Sequence, residues 1–315
     1  MLLHRTRLAY VHIPNLLTDA KRDRAARVYG YVQVWLPEEM IVFFLQEGEV
    51  VNATVSADGR LFRTIPIAEG LASVPSGAEF GEVCFHQCED EQLAVMHASQ
   101  CGVAQPWPSE LNATDSVALM GYLNSTMHDG VVEVRSESGV HYALVRNGLV
   151  VRGYFADAPR GATVQDQFMD LMGELADAVE PPVVRLWPVP PPLLAQAAPA
   201  LIAAYRDVIR STVARLVSLG ADGAPSIAEQ ARLQLLARYP ALDAFALASS
   251  TKRDPVAATD ELTAAVGAWI AELLWIMAPP DGLSPGRLLG EVARERRHLF
   301  QSAGLFERLP WVVEW

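Results

Sequence analysis

Apolar and polar positions alternate from Tyr31 and again from Val131, the period of a half-buried strand. A turn follows each run, at Pro37-Glu38-Glu39 and at Glu137-Ser138-Gly139. Two further strands then flank Gly48 and Gly148, where Gln-Glu-Gly and Arg-Asn-Gly have hairpin-turn chemistry. Helical spacing precedes each strand group: Ile13, Leu16, Leu17 and Ala20 in the first, and Val117, Leu119, Met120 and Leu123 behind an Asn-Ala-Thr-Asp capping stretch in the second. A short helix over 67–74 or 164–178 and one more strand complete each unit. Meandering strands with helices on one face predict the α+β class. After Pro188, Pro190, Pro191 and Pro192 the strand pattern stops. Leu201, Ile202, Tyr205, Val208, Ile209, Thr212, Val213, Leu216 and Val217 then mark one face of a long helix that Gly220 ends. Helices from Ile227, over 262–277 and from Ser284-Pro285 follow, enough to bury a bundle core. The expected architecture is two small repeated α+β domains over 1–108 and 109–191, then an all-α helical bundle over 192–315.

The repeat is visible in the residues themselves at a spacing of 100. Gly30-Tyr31-Val32-Gln33-Val34 aligns on Gly130-Val131-Val132-Glu133-Val134, and the stretch from Phe44 to Ala53 aligns on Leu144 to Gly153 without a gap. A third match sets Val83-Cys84-Phe85-His86 on Val183-Val184-Arg185-Leu186. An internal repeat fixes domain count before any other motif is weighed. Gly48 and Gly148 could permit close approach of a ligand, or hold hairpin positions with φ > 0; the absence of any phosphate-loop or dinucleotide pattern favours the hairpin.

Gly-x-Val-x-Val, an apolar strand and then Phe-x-x-x-Gly-x-Val-Val-x-Ala resembles the PATAN domain of bacteria. The first copy carries it as Gly30, Val32, Val34, Phe44, Gly48, Val50, Val51 and Ala53. The second carries Gly130, Val132, Val134, Gly148, Val150 and Val151, with Leu144 and Gly153 departing from the pattern. The resemblance covers roughly 12–190. It implies an α+β domain of bacterial signal transduction or regulation that acts through protein–protein contacts, and it brings no catalytic residues.

Composition agrees with a cored globular chain: of 315 residues 51% are hydrophobic and only 20% charged, which excludes a disordered polymer. The net charge of −12 argues against nucleic acid and anionic lipid as partners. Most of it falls on the first two thirds, −5 over 1–108 (8 basic, 13 acidic) and −6 over 109–191 (5 basic, 11 acidic), against −1 over 192–315 (12 basic, 13 acidic). An acidic pair of domains suits a basic protein partner. The N-terminus lacks the pattern of a signal peptide, and the apolar stretch from Leu262 is interrupted by Glu272 short of the about 20 residues of a span. Three cysteines form no disulfide framework and fit a reducing compartment, so a cytoplasmic location is expected.

Local chemistry is sparse. Cys84, Cys88, His97 and Cys101 read as C-x3-C-x8-H-x3-C, a donor set suited to tetrahedral zinc. The alternative is small buried hydrophobes on a strand, a polar turn at Glu89-Asp90-Glu91 and a second strand through Leu93, Val95 and His97. Glu295-Arg296-Arg297-His298 is half of a di-iron fragment pair, without its second half. Trp311 and Trp315 imply that the C-terminus packs back or docks into a partner. The expectation is a non-catalytic regulatory or scaffolding protein of a bacterium, with no catalytic or cofactor-binding residues assigned. The alternative is a small-ligand or zinc sensor built on Cys84, Cys88, His97 and Cys101.

Overall fold

The computed structural model describes residues 2–22, 28–75, 80–137, 139–156, 161–248, 253–277, 279 and 282–315. Ser138, in the expected second turn, lies outside them. The chain is mixed α and β, with two antiparallel sheets. The first part contains β1 (Leu3–Arg7), α1 (Ile13–Arg22), β2 (Gly30–Trp35), β3 (Met40–Gln46), β4 (Glu49–Ser56), β5 (Arg63–Ile65), α2 (Ile67–Ser73), β6 (Glu82–Gln87) and α3 (Asp90–Cys101). Next come α4 (Ser116–Ser125), β7 (Gly130–Ser136), β8 (Gly139–Arg146), β9 (Leu149–Tyr154), α5 (Val164–Ala176) and β10 (Val183–Trp187). The remainder is helical: α6 (Pro199–Ser218), α7 (Ala224–Leu235), α8 (Thr259–Ile276), α9 (Pro285–Ala293) and α10 (Arg297–Ser302). Among the described residues no helix is long and apolar enough to cross a membrane.

The first sheet runs β1-β6-β2-β3-β4-β5 and the second β10-β7-β8-β9. Their shared strands pair alike. Gly30 faces Leu45 as Gly130 faces Val145, and both sheets break register at one point, between Phe44 and Leu45 and between Leu144 and Val145. Such a bulge inserts one residue and sharpens the local twist. The last strands depart from the expected spacing. Val83 pairs with Val34, but Val184 pairs with Val134, so the third sequence match belongs at 101 rather than 100. The shift matters because strand faces alternate: Val83 and Phe85 lie in one core, and Val184 with Leu186, not Val183, lie in the other.

Both hairpins turn through left-handed backbone at Glu47-Gly48 and Asn147-Gly148, with φ of 51° and 81°, and 49° and 76°. Two successive positive φ values give the twist that matches flanking strands. A Cβ on Gly48 would stand 2.3 Å from Ala20 O at the end of α1, and one on Gly148 2.6 Å from Asn124 Cα in α4. The close approach is therefore to a lead-in helix, not to a ligand.

Layers follow from the alternation. Ile41, Phe43 and Leu45 face a core that includes Ile13, Ala20 and Ile67 of α1 and α2; Val132, Val134, Ala143 and Val145 face Leu119, Leu123, Phe168 and Met172 of α4 and α5. The opposite faces meet across α3 in one cluster with Val42, Phe44, Leu93, Ala94, Val95, Met96, Val131, Tyr142, Leu144 and Trp187. The strand expected through Leu93, Val95 and His97 is thus a helix, with Asp90 and Glu91 in its first turn where the helix dipole favours acids. Leu93, Ala94, Val95 and Met96 are buried in succession because both sides of the helix are covered.

The helical part packs round Tyr205, Val208, Leu262, Val266, Trp269, Leu273 and Leu288, and Trp269 Nε1 donates to Ala228 O at 2.7 Å. Pro199 and Pro285 open α6 and α9, where a missing N–H costs nothing. The expected last helix is broken by a 3-10 turn at Arg294–Arg296. The C-terminus packs back: Trp311 stacks on Trp275 with centroids 6.2 Å apart, and the Arg297 guanidinium sits 4.2 Å over Trp315. Gly286 and Gly290 make the groove, since a Cβ on Gly290 would lie 1.6 Å from Glu314 O. Gly290→Ala is expected to destabilise the full chain by about 1–3 kcal/mol through overpacking. In a chain ended at Pro310 the same change should be neutral or stabilising by up to about 1 kcal/mol, because only the helix preference for alanine remains. Urea unfolding of the four proteins measures both terms.

Candidate functional site

Helix α3 carries most of the polar chemistry between the sheets. Its N-terminus is gripped from both sides: Gln46 Nε2 of β3 donates to Asp90 Oδ1 at 2.6 Å, and Arg152 Nη1 of β9 lies 2.7 Å from Glu89 and 3.2 Å from Glu91. Tyr154 Oη donates to Glu91 Oε2 at 3.1 Å, and burial is the main reason its phenol ionises only near about 12. Farther along, buried Ser99 Oγ and Tyr142 Oη share a hydrogen bond of 3.0 Å. Tyr142 pairs across the strands with buried Glu133, which is bridged to Arg135. Burial first, and the Glu133 carboxylate second, hold the Tyr142 phenol neutral well above its ordinary range.

The four expected zinc ligands fall on two elements. Cys84 is buried on β6 with Sγ 3.6 Å from Gln33 Oε1, and Cys88 follows that strand and packs into the α3 layer. His97 and Cys101 are one turn apart on α3, with the His97 ring edge-on to Phe44 at 5.5 Å. Among the described residues no group of three or more His, Cys, Asp or Glu is arranged to hold a metal ion. Closeness in sequence is therefore not convergence in space for Cys84, Cys88, His97 and Cys101. All three thiols are raised by burial, which keeps them neutral, and His97 is lowered by the same cause. Glu295 and His298 also sit on separate elements, the 3-10 turn and α10; Arg296 between them pairs with Asp207 at 2.7 Å.

The feature that sequence reasoning missed is a difference between the sheet edges. β4 is covered on its outer side by β5, paired at Ala53 with Ile65, Thr54 with Thr64 and Val55 with Arg63. Where β5 stops, Gln196 takes over. Its N–H donates to Val51 O at 2.8 Å, and its Nε2 donates to Asn52 Oδ1 at 2.6 Å and Ile65 O at 2.9 Å. Among the described residues no strand pairs with the outer side of β9. The consequence is visible at matched positions: Val51 is 8% exposed, Val151 50%. Asn52, Ala53 and Thr54 are buried, whereas Arg152 is exposed and Gly153 and Tyr154 are half-buried. An uncovered edge offers main-chain donors and acceptors to an incoming strand. No sequence signal marked the difference, because β5 is only three residues long.

No family model matches this chain, and neither does any curated protein or solved structure.

Burial, with smaller contributions from Asp90 and Glu89, pushes the Cys88 thiol from its ordinary 9.0 up to about 12. The folded state thus prefers the neutral thiol. Its contribution to stability is complete below about pH 9 and is lost as pH rises toward about 12. Urea midpoints measured upward from about pH 8 should fall, and Cys88→Ala should make that fall shallower. An unchanged slope would show that Cys88 ionises no differently in the folded chain.

Proposed function

We propose that this chain is a non-catalytic regulatory or scaffolding protein that acts through protein–protein contacts, and that its two sheets are copies of one PATAN-like unit followed by a helical bundle. The observation that carries this reading is the open outer edge of β9 beside its covered counterpart β4. Common strand order, common hairpin register and a bulge at the same position support descent of both sheets from one unit. Exposed Val151 and Leu149 on that edge, each 50% accessible, supply the apolar surface a partner would cover. A net charge of −6 over 109–191 favours a basic partner and disfavours nucleic acid. A cytoplasmic setting suits the three free thiols.

A photo-crosslinking amino acid placed at position 151, or at exposed position 233 of α7 as a control, tests the reading in the source cells. A discrete protein adduct from 151 and none from 233 is expected. No protein adduct from either position overturns the reading, and adducts from 233 alone remove the β9 edge as its basis.

A further inference from the structure

The way the first sheet closes its own edge indicates what fits the second. Within 59–66, which carries Arg60 and Arg63 and no acid, only Arg63–Ile65 is strand, and it adds antiparallel to β4 after a bend. Its Arg63 lies 3.6 Å from Glu69 of α2, the helix that packs over β4. A second arginine, Arg253 from the chain before α8, grips the same Glu69 at 2.6 and 2.8 Å, whereas the segment around Gln196 that also covers β4 is uncharged. The strand added to β4 thus places its arginine on an acid of the covering helix, and that acid draws a further arginine.

The second sheet has the receiving half of this arrangement. α5 packs over β9 as α2 packs over β4. It bears Asp166, Asp170 and Glu174 on its exposed side, spaced one turn apart, and no basic residue. No ion pair among the described residues involves any of the three. Arg152, the basic residue on the edge, is already committed to Glu89 and Glu91. A second copy of this chain is a poor occupant, because pairing β9 with β9 would bring two regions of −6 together.

We propose that β9 receives an extended, basic segment of a partner protein, added antiparallel along Gly153 and Tyr154 as β5 is added to Ala53 and Thr54, and running on to place an apolar side chain at Val151, where Gln196 covers Val51 in the first sheet, with arginine or lysine toward the acids of α5. The inference rests on the protein-contact reading above and specifies the partner's chemistry.

The test uses the full chain and a capped peptide of its own residues 59–66, compared with the same peptide carrying R60E and R63E. Hydrogen exchange should slow in residues 149–155 when the basic peptide is added, and titration should give about tenfold weaker binding for the acidic peptide, with the difference shrinking as salt is raised. Val151→Lys should weaken the basic peptide by about tenfold, since an edge lysine opposes strand addition, while Val151→Thr should bind within about twofold of the parent. Equal binding of the two peptides, or protection confined to other segments, overturns the inference. So does protection of 149–155 that appears with protein concentration alone, which would name a second copy as the occupant. If the peptides fail while the crosslink from 151 persists, the protein-contact reading stands and only the basic-strand inference falls.

Discussion

Burial of α3 between the two sheets is the interaction on which the β part of this protein depends. Leu93, Ala94, Val95 and Met96 are four consecutive buried residues, a pattern available to a helix only when it has a hydrophobic neighbour on both sides. Each large side chain so placed contributes about 1.5–3 kcal/mol by leaving water. Polar residues near both ends of the layer meet polar partners. Glu89 and Glu91 reach Arg152 and Tyr154 at one end, and Ser99 meets Tyr142 inside. The exposed ion pairs at the N-terminus add little energy of their own. What they do is fix which way β9 faces, since Arg152 and Tyr154 are turned inward to the helix and leave Val151 at the rim.

The helical part is joined to this arrangement through a short connector, with Arg253 on Glu69 as a further contact. Leu193 enters the same apolar layer as Leu93 and Trp187, and three residues later Gln196 makes its three hydrogen bonds to β4, Asn52 and the end of β5. A buried amide with satisfied partners is selective for one register, because a slip of one residue would leave Asn52 Oδ1 and Ile65 O without it. The same contact that anchors the helices thereby closes the edge of β4. The terminal tryptophans act at the other end of the helical part, where Gly286 and Gly290 let the backbone at Val312 and Glu314 lie directly on α9.

Much of this was legible in the residues. The alternation from Tyr31 and Val131, the two hairpins at Gly48 and Gly148, the lead-in helices and the long face of α6 all follow from period and turn chemistry. Where reading failed, it failed for identifiable physical reasons. α3 looked like a strand because burial on two sides erases the one-sided stripe of an amphipathic helix. The last strand of the second sheet was placed one residue early, since Val183 and Val184 are both apolar and only pairing with β7 shows which one faces the core. β1 and β5 were missed because they are only five and three residues long, too short for an alternation to detect. The cluster of Cys84, Cys88, His97 and Cys101 looked like a site because four soft donors fall close in sequence. The chain between them is spent on a strand end and a helix, and among the described residues no three of the donors converge.

The two sheets differ least where they are packed and most where they end. Hairpin register, bulge and glycine contacts to the lead-in helices are matched, and all lie against cores that tolerate no slip. The edges face solvent, where a strand can be gained or lost without disturbing the core beneath. On the first sheet a further strand lies outside each end of the shared strands, β1 on β6 and β5 with Gln196 on β4, so that β1 and β5 form its edges. On the second, β10 receives only a single bridge from Gln105 and β9 receives no strand among the described residues. An open, partly apolar strand edge is a liability that folded proteins ordinarily blunt with charge, proline or a covering segment. β9 carries exposed Arg152, paired with Glu89 and Glu91, and a bulge at Val151, and the bulged residue itself is apolar and half exposed. The contrast between covered β4 and uncovered β9 is the observation on which the proposed strand-receiving role of β9 rests.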